Sequence, residues 1–373
     1  MTGKPAVSLV AVPGRRKLTL ETAQRLEREG FSGLYCPSLG DGLGLCLALA
    51  LGTREIAFGT SIANIYARHP SDYAHSAALI HEVSGGRFRF GVGVSHGPAH
   101  QRLGVSPGKP LEDMRRFVRD LQSVAKLAGE LPPLVLATLR TRMVALAGEI
   151  AQGAVWANAA RSHMAASLTH LPAAARANAT FFVGNMVPTA IDTDRAAAAA
   201  VNRRTLTNYV KLPNYQNYWI EAGYEEEMLA IRKAIAAGEE ARIPALMSDR
   251  WLADVTLYGS PREVRDGIEA WWGQHPDPRA ILHARQPDGG APGVGRCTPA
   301  GGPVSAARAR GAVDGDGRVN GELGLAGPGR RHRPGRTHLV LDGPHVIGVL
   351  AVGVVHGSEL PEHAREIRLA AQQ

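Results

Sequence analysis

The sequence predicts an α/β fold, a (β/α)8 barrel whose last strand and helix are missing or replaced. Three observations favour it. Short apolar strands alternate with helices over the first 272 residues, about seven strands can be counted there, and the third and fourth end in small and polar residues. Strands joined through helices pair in parallel, and this number of strands favours a barrel over an open sheet.

Apolar runs, and the glycine and polar residues that end them, predict the strands and helices of the first half of the barrel. Residues 7–12 form a short apolar strand, and residues 19–29 have helical spacing that Gly30 ends. The elements predicted next are a strand at 33–36, a helix at 42–52, a strand at 56–62, a helix at 70–83, a strand at 87–94 and a helix at 110–127.

The second half repeats the alternation of strands and helices, but its last strand is not evident in the sequence. The predicted strands are 134–137, 154–157 and 181–187, and the predicted helices are 140–150, 192–208 and 261–272. Pro261 suits the first turn of the last helix, because the N–H that proline lacks has no partner there. A closed barrel needs one more strand, and only residues 280–283 could supply it.

The composition changes near residue 273. All seven Phe, eight Tyr and five Trp lie at or before Trp272, and residues 289–335 are rich in Gly, Pro and Arg without a helical or strand period. We therefore expect a barrel domain at 1–275 and a Gly/Arg/Pro-rich, low-order tail at 276–373. A shifted reading frame in a GC-rich gene is the favoured origin of the tail. A genuine disordered or RNA-contacting appendage is the alternative.

Charge, cysteines and hydropathy disfavour several classes of protein. The formal net charge of +8 is spread over both parts of the chain, and no aromatic residues interleave with Arg330-Arg331, so we expect no nucleic-acid partner. The three cysteines, Cys36, Cys46 and Cys297, lack metal-ligand spacing, which predicts a reducing, cytoplasmic setting. The apolar runs are shorter than the roughly 20 residues of a membrane helix, so we expect no membrane span.

A glycine-rich turn, residues 91–97, is the first candidate for a ligand contact. Glycines after a strand let the backbone approach a ligand, and free amides there can hold a phosphate. The spacing is GxGxxxG and we expect no helix directly after it, which excludes the dinucleotide fingerprint. Arg68-His69 fits helix capping and ligand contact equally well. We expect no metal, because His81-Glu82 lacks a second histidine at residue 85.

Two motifs carry a resemblance to a known family. They are Gly59-Thr60-Ser61-Ile62-Ala63-Asn64-Ile65-Tyr66-Ala67-Arg68-His69-Pro70 and the run from Ser84-Gly85-Gly86-Arg87-Phe88 to Gly91-Val92-Gly93-Val94-Ser95-His96. Together they resemble the luciferase-like monooxygenase superfamily, in particular its deazaflavin (coenzyme F420)-dependent oxidoreductases. Segments at 30–38, 51–54, 135–153, 212–215 and 258–271 extend the resemblance over residues 5–272.

The resemblance implies a luciferase-like barrel with insertions and a cofactor that lies across the carboxyl ends of the strands. It implies a non-proline cis peptide at Ser61-Ile62, in a bulge after the third strand that backs the cofactor ring. It also implies further cofactor contacts, from Asn64, Gly91, Gly93 and Ser95 near the ring and from Thr138 and Arg142 toward the phosphate. Arginine suits phosphate because its hydrogen bonds are bidentate and charge-assisted.

The chemistry that the resemblance implies is hydride transfer between F420 and a small organic substrate. His96 is the candidate catalytic residue, a proton donor whose pKa suits neutral pH. Relatives often carry an Asp-His pair after the second strand, and Ser38 and Leu39 occupy those positions here. This departure favours reduction of an activated double bond over oxidation of an alcohol or a sugar phosphate. Relatives are commonly dimers, which leaves a homodimer open.

Two alternatives stay open beside the F420 enzyme. With FMN as cofactor, the chain would be the oxygenase of a two-component monooxygenase that works with a partner reductase. With its reading frame disrupted, it would be an inactive barrel with a disordered tail. If the chain is an F420 enzyme, it should bind F420 and consume no oxygen. If it is an FMN monooxygenase, it should bind FMN and turn over only with oxygen. If the barrel is disrupted, it should bind neither cofactor.

Overall fold

The computed structural model describes residues 4–273 and a two-residue strand, Val355–His356. These residues all belong to one compact unit of the chain. The predicted eighth strand at 280–283 lies outside the described residues. So does the predicted tail at 276–373, apart from that two-residue strand, and both stay predictions.

Strands and helices alternate as predicted. The strands are β1 (Val7–Ser8), β2 (Gly33–Cys36), β3 (Ala57–Thr60), β4 (Ala63–Asn64), β5 (Phe88–Gly93), β6 (Leu134–Ala137), β7 (Gly153–Ala157), β8 (Phe182–Met186), β9 (Thr189–Asp192), β10 (Leu257–Gly259) and β11 (Val355–His356). The helices of the first half are α1 (Arg16–Arg28), α2 (Gly42–Gly52), α3 (Pro70–Val83), α4 (Gly97–Leu103), α5 (Pro110–Ser123), α6 (Ala125–Ala128) and α7 (Thr141–Ile150). Those of the second half are α8 (Met164–Thr169), α9 (Ala173–Ala177), α10 (Arg195–Thr207), α11 (Pro213–Glu221), α12 (Glu225–Ala236), α13 (Ile243–Leu246), α14 (Asp249–Val255) and α15 (Pro261–Gly273), with 3-10 turns at Arg161–His163 and Glu240–Arg242.

Seven parallel strands form one curved sheet in the order β1-β2-β3-β5-β6-β7-β8, and β4 extends it by pairing with β5. With its helices the sheet is a half-barrel of the TIM-like, luciferase type, which confirms the predicted fold class. A smaller parallel sheet has the order β10-β9-β11. Among the described residues, no strand joins β8 to β1 and closes the barrel.

The convex face of the sheet carries the aromatic core. Phe58, Phe88 and Phe90 are fully buried, and the Tyr73 ring of α3 packs 5.5 Å from the ring of Phe90. Side chains alternate across a strand, so Arg89 lies on the opposite, concave face. Each such burial contributes about 1.5–3 kcal/mol, and the phenylalanines therefore fix which face of β5 meets the helices.

Several predictions need correction. The strand predicted at 56–62 is broken into β3 and β4, and the helix predicted at 110–127 ends at Ser123 before a separate turn of helix. The helices between residues 213 and 255 and the strands β9 and β10 were not predicted. No helix within residues 4–273 is both long enough and apolar enough to span a bilayer.

Candidate functional site

The carboxyl end of β3 contains a bulge of one residue. Phe58 pairs with Phe88, thirty positions further along the chain, whereas Ala63 pairs with Val92, only twenty-nine positions further. One extra residue therefore lies between β3 and β4, which is the definition of a bulge. The peptide bond between Ser61 and Ile62 is cis, as the resemblance implies.

Gly91 and Gly93 of β5 leave the space that the bulge occupies. A Cβ on Gly93 would lie 3.0 Å from Cδ1 of Ile62 and 2.8 Å from Cβ of Ala137. A Cβ on Gly91 would lie 1.9 Å from the carbonyl oxygen of Thr60, whose hydroxyl donates to the Gly91 carbonyl at 2.6 Å. The two glycines are thus needed for close packing of β3 and β5, whatever ligand the site holds.

Ser61 links the bulge to two other strands. Its backbone N–H donates to the carbonyl of Cys36 at the end of β2, at 2.8 Å. Its hydroxyl donates to the sulfur of Met186 at the end of β8, at 2.9 Å. The structure therefore brings the ends of β2, β3 and β8 together, at the edge where parallel barrels hold their ligands.

Asn64 lies one strand residue beyond the bulge and is buried. Its side-chain oxygen accepts the backbone N–H of Tyr66 at 3.0 Å, and its backbone carbonyl accepts the hydroxyl of Tyr73 at 2.7 Å. Asn64 also pairs in register with Gly93. The structure therefore places Ser61, Ile62, Asn64 and the two glycines of β5 next to one another, and their contact with a cofactor stays a prediction.

Ser95 and His96 form the turn after β5. Ser95 has a φ of 59°, in the left-handed region, and His96 precedes the first residue of α4. The prediction that no helix directly follows the glycine-rich turn was therefore wrong. Pro98 in the first turn of α4 was the available signal, because proline is favoured at the start of a helix.

His96 is half-buried, and its Nδ1 is buried without a hydrogen bond to any other residue that the structure describes. Burial lowers the pKa of His96 below its usual value, and the neighbouring His100 and Arg102 lower it further. The ring is therefore neutral at pH 7, so it has one N–H to donate and one free nitrogen to accept.

A second chain of contacts holds this loop in place. The ring of His100 packs edge-on against Tyr66 at 5.2 Å, and its Nε2 lies 2.6 Å from the carbonyl oxygen of Val94. The Tyr66 hydroxyl donates to buried Asp113 at 2.6 Å, and the same carboxylate accepts the Gly108 N–H at 2.7 Å. Sequence reasoning missed this pair, because nothing in the local pattern connects positions 47 residues apart.

Thr138 directly follows β6, Arg142 is the second residue of α7, and neither makes a hydrogen bond to the bulge among the described residues. The backbone N–H of Thr138 donates to the carbonyl of Val155 at 2.8 Å, and its hydroxyl lies 3.4 Å from the same oxygen. Arg142 is exposed and pairs with no carboxylate within residues 4–273. Its guanidinium is therefore available to solvent or to an anion.

Asn158 is a candidate that sequence reasoning did not single out. It directly follows β7, has a φ of 57° and is 1% exposed. Its backbone carbonyl accepts the Nε1–H of Trp219 at 3.1 Å, and its N–H donates to the Met186 carbonyl at 2.9 Å. A polar residue at a strand end was the available signal, since asparagine is enriched in left-handed conformations.

Two of the quoted motifs prove to be structural. Arg68 pairs with Asp41 and Asp72 at 3.3 and 3.5 Å, and His69 caps α3 by accepting the Ser71 N–H at 3.2 Å, which confirms the capping interpretation. Arg87 lies at the opposite end of β5 from the bulge. Its guanidinium donates hydrogen bonds to Ala50, Thr53 and Ile56, which precede β3. The part of the chain that the structure describes has no cluster of three or more His, Cys, Asp or Glu side chains that could hold a metal.

The sequence of this chain is similar to those of several known proteins. Residues 6–275 match the family described as Luciferase-like monooxygenase. A 5,10-methylenetetrahydromethanopterin reductase of Archaeoglobus fulgidus is 35% identical over 78 residues, a match that spans 21% of this chain and only 24% of that protein. An uncharacterized protein of Mycobacterium bovis is 24% identical over 288 residues, 67% of this chain and 85% of that protein.

Two solved structures share the fold. The coenzyme F420-dependent tetrahydromethanopterin reductase of Methanopyrus kandleri superposes with a TM-score of 0.60 at 18% identity, over 73% of this chain and 91% of that chain. An F420-dependent secondary alcohol dehydrogenase, solved with an F420–acetone adduct, has a TM-score of 0.54 at 14% identity and covers 73% and 90%. The family match across residues 6–275, together with this shared fold, shows that the chain belongs to the luciferase-like monooxygenase family.

Proposed function

We propose that this chain is an oxidoreductase that uses F420 to reduce a small organic substrate by hydride transfer. The observation that carries the proposal is the one-residue bulge at Ser61-Ile62, seated on Gly91 and Gly93 at the carboxyl ends of the strands. The two structural neighbours described above are F420-dependent enzymes, which supports F420 over FMN.

The residues present fit such a cofactor. Ile62 is half-buried at the bulge and offers an apolar surface for a planar ring, and Asn64 lies beside it. Gly97 has no atom within 4 Å of the position of a Cβ, so the start of α4 is open. Exposed Arg142, in the first turn of α7, suits a phosphate through charge-assisted hydrogen bonds, and Thr138 directly follows β6.

When bound, the deazaflavin supplies the hydride from its C5. In this proposal Ser61, Ile62 and Asn64 hold one face of the ring, and Gly91, Gly93 and Ser95 line the cleft. His96 is the candidate proton donor at this cleft, and because its pKa is lowered, the protonated minor fraction of the ring would carry the transfer at pH 7. Ser38, exposed in the loop after β2, stands where many relatives have the acidic residue of an Asp-His pair, which favours reduction of an activated double bond.

The proposal also covers the domain organisation of the chain and the cellular compartment in which it works. Residues 1–275 would form the working barrel domain, and 276–373 a low-order tail from a shifted frame. Cys36 and Cys46 are free and buried, which fits a reducing cytoplasm. A homodimer with a small-molecule substrate, and no nucleic-acid partner, completes the proposal.

Anaerobic titration of the purified full-length chain with F420 and, separately, with FMN tests the proposal through the fluorescence of each cofactor. We expect F420 to bind and its reduced form to turn over without oxygen consumption. Binding of FMN alone, with oxygen-dependent turnover once a reductase is supplied, would replace the proposal by the two-component monooxygenase. Failure to bind either cofactor would remove both enzyme proposals.

A further inference from the structure

A chain of hydrogen bonds leads from the helices between residues 213 and 255 to the bulge. It begins at Trp219 of α11, whose Nε1–H donates to the backbone carbonyl of Asn158 at 3.1 Å. The N–H of Asn158 donates to the backbone carbonyl of Met186 at 2.9 Å, and the sulfur of Met186 accepts the hydroxyl of Ser61 at 2.9 Å. The chain therefore connects α11, the turn after β7, the end of β8 and the bulge.

All four residues of this chain are buried. The exposed fraction is 0% for Trp219, 1% for Asn158, 7% for Ser61 and 9% for Met186. Bulk water therefore cannot replace a bond that is lost, and a buried polar group without a partner is costly. Because each bond is needed, the position of each residue constrains that of the next.

Asn158 depends on these bonds more than a residue of ordinary conformation would. Its φ of 57° lies in the left-handed region, which costs energy for a residue other than glycine and persists only where the surroundings hold it. Its N–H is bonded to Met186 and its carbonyl to Trp219. The hydroxyl of Tyr218 also accepts the N–H of Ala160 at 3.2 Å. Two consecutive side chains of α11 thus hold the turn after β7.

The bulge depends on the other end of the chain. Among the described residues Ser61 makes two hydrogen bonds, from its N–H to the carbonyl of Cys36 and from its hydroxyl to the sulfur of Met186. A shift of Met186 would therefore leave the bulge with one of the two.

We propose that Trp219 is a positioning residue for the bulge. Acting through Asn158 and Met186, it holds Ser61 and the adjoining Ile62 at the place where the cofactor ring is proposed to lie. The role assigned to the bulge rests on the proposed function, whereas the contacts that hold the bulge do not. The helices between residues 213 and 255 thereby support the site without touching the ring.

Trp251 supplies a matched control. Its ring packs edge-on against Trp219 at 4.9 Å and is equally buried, and its Nε1 has no hydrogen-bond partner among the described residues. A change of tryptophan to phenylalanine removes the same atoms at either position, but only at Trp219 does it break a hydrogen bond of the chain. A difference between the two variants therefore reports the bond rather than the cavity.

Hydrogen exchange over residues 57–66 of the full-length chain, without cofactor, tests the contacts. We expect Trp219→Phe and Met186→Leu to accelerate exchange there about fivefold, as the loss of one buried hydrogen bond allows. Trp251→Phe should accelerate it no more than its loss of stability in urea unfolding accounts for. Equal acceleration in Trp251→Phe, or none in Trp219→Phe, would overturn the proposal. Should Trp219→Phe not fold, Met186→Leu is compared with Trp251→Phe in the same way.

F420 titration of the same variants, followed by cofactor fluorescence, tests the positioning role. Affinity should fall about fivefold in Trp219→Phe and in Met186→Leu, and should not change in Trp251→Phe. The double variant should lose less than the product of the two single losses, because both changes break one chain. Accelerated exchange with unchanged affinity in Trp219→Phe would overturn the role. If the wild-type chain does not bind F420, the proposed function fails, and the exchange measurement still decides whether Trp219 holds the bulge.

Discussion

Ile62 lies so close to Gly93 that a single methyl group on the glycine would stand 3.0 Å from Cδ1 of the isoleucine. Gly93 is one of two glycines that let β5 pass under the bulge, and the other, Gly91, has the backbone of Thr60 as its neighbour. The bulge and the glycines of β5 are therefore one packing unit, and the proposed ring site depends on both.

Gly93→Ala should disturb that unit without unfolding the chain. The added methyl group must move the flexible end of Ile62 and also displace the Cβ of Ala137 in β6, at a cost of about 1–3 kcal/mol. F420 affinity should fall because the apolar surface under the ring shifts. Urea unfolding and F420 titration measure the two effects.

Gly97→Ala is the matched control, since its Cβ would meet nothing within 4 Å. Gly91→Ala should cost more stability than Gly93→Ala, because a backbone carbonyl cannot move aside as a side-chain end can. Equal stability and affinity in all three variants would show that the packing unit has no such role.

Tyr66→Phe should loosen the loop that carries His96. It removes a hydrogen bond to a buried carboxylate, for which about 1.5–3 kcal/mol is expected. Tyr73→Phe removes a bond to a neutral carbonyl and should cost about 0.5–1.5 kcal/mol. Hydrogen exchange should accelerate over residues 94–108 in the first variant only. Unchanged exchange there would mean that the Tyr66–Asp113 bond does not hold the loop.

Arg87→Lys should reduce stability and leave F420 affinity unchanged. Arg87 donates five hydrogen bonds, to Ser84, Ile56, Ala50 and twice to Thr53, at 2.8–3.1 Å. A lysine cannot reproduce this fork, so we expect a loss of about 2 kcal/mol or more in urea unfolding.

The bulge lies at the other end of β5, which is why affinity should not change. The exposed Arg119→Lys serves as the control for stability. A clear loss of F420 affinity in a folded Arg87→Lys chain would assign the Ser84 to Phe88 motif to the site rather than to the scaffold.

His96 should make the fold less stable in mild acid. Its pKa is lowered in the folded chain, by burial and then by His100 and Arg102, so the unfolded chain binds more protons as the pH falls below about 6.5. Stability attributable to His96 is therefore full above that pH and is lost as the pH falls toward its folded pKa. His96→Gln should flatten this dependence in urea unfolding between about pH 7 and about pH 5.

Ring NMR of the wild-type protein gives the titration midpoint of His96 independently. We expect it below 6.5. A midpoint above that value would mean that the loop favours the charged ring, and the assignment of a neutral His96 would be withdrawn.

The sequence was most informative where local signals and burial agree. The bounds of α2, α3, β2 and β6 coincide with those predicted, because capping residues, prolines and short apolar runs define their ends. The helices between residues 213 and 255 were not predicted. Their core is aromatic, with Trp219 and Trp251 packed edge-on at 4.9 Å, and such contacts are decided by tertiary packing.

The candidate site was predicted unevenly for a similar reason. The bulge residues are adjacent in one motif, and resemblance identified them. Tyr66 and Asp113, which hold the loop after β5, are 47 residues apart in the chain and meet only in the folded structure.

A crystal structure of the full-length chain grown with F420 examines the proposed site itself. The ring is expected in contact with Ile62, at the carboxyl ends of the strands and above Gly93, with its phosphate toward Arg142. Ring density anywhere away from the bulge would refute the assignment.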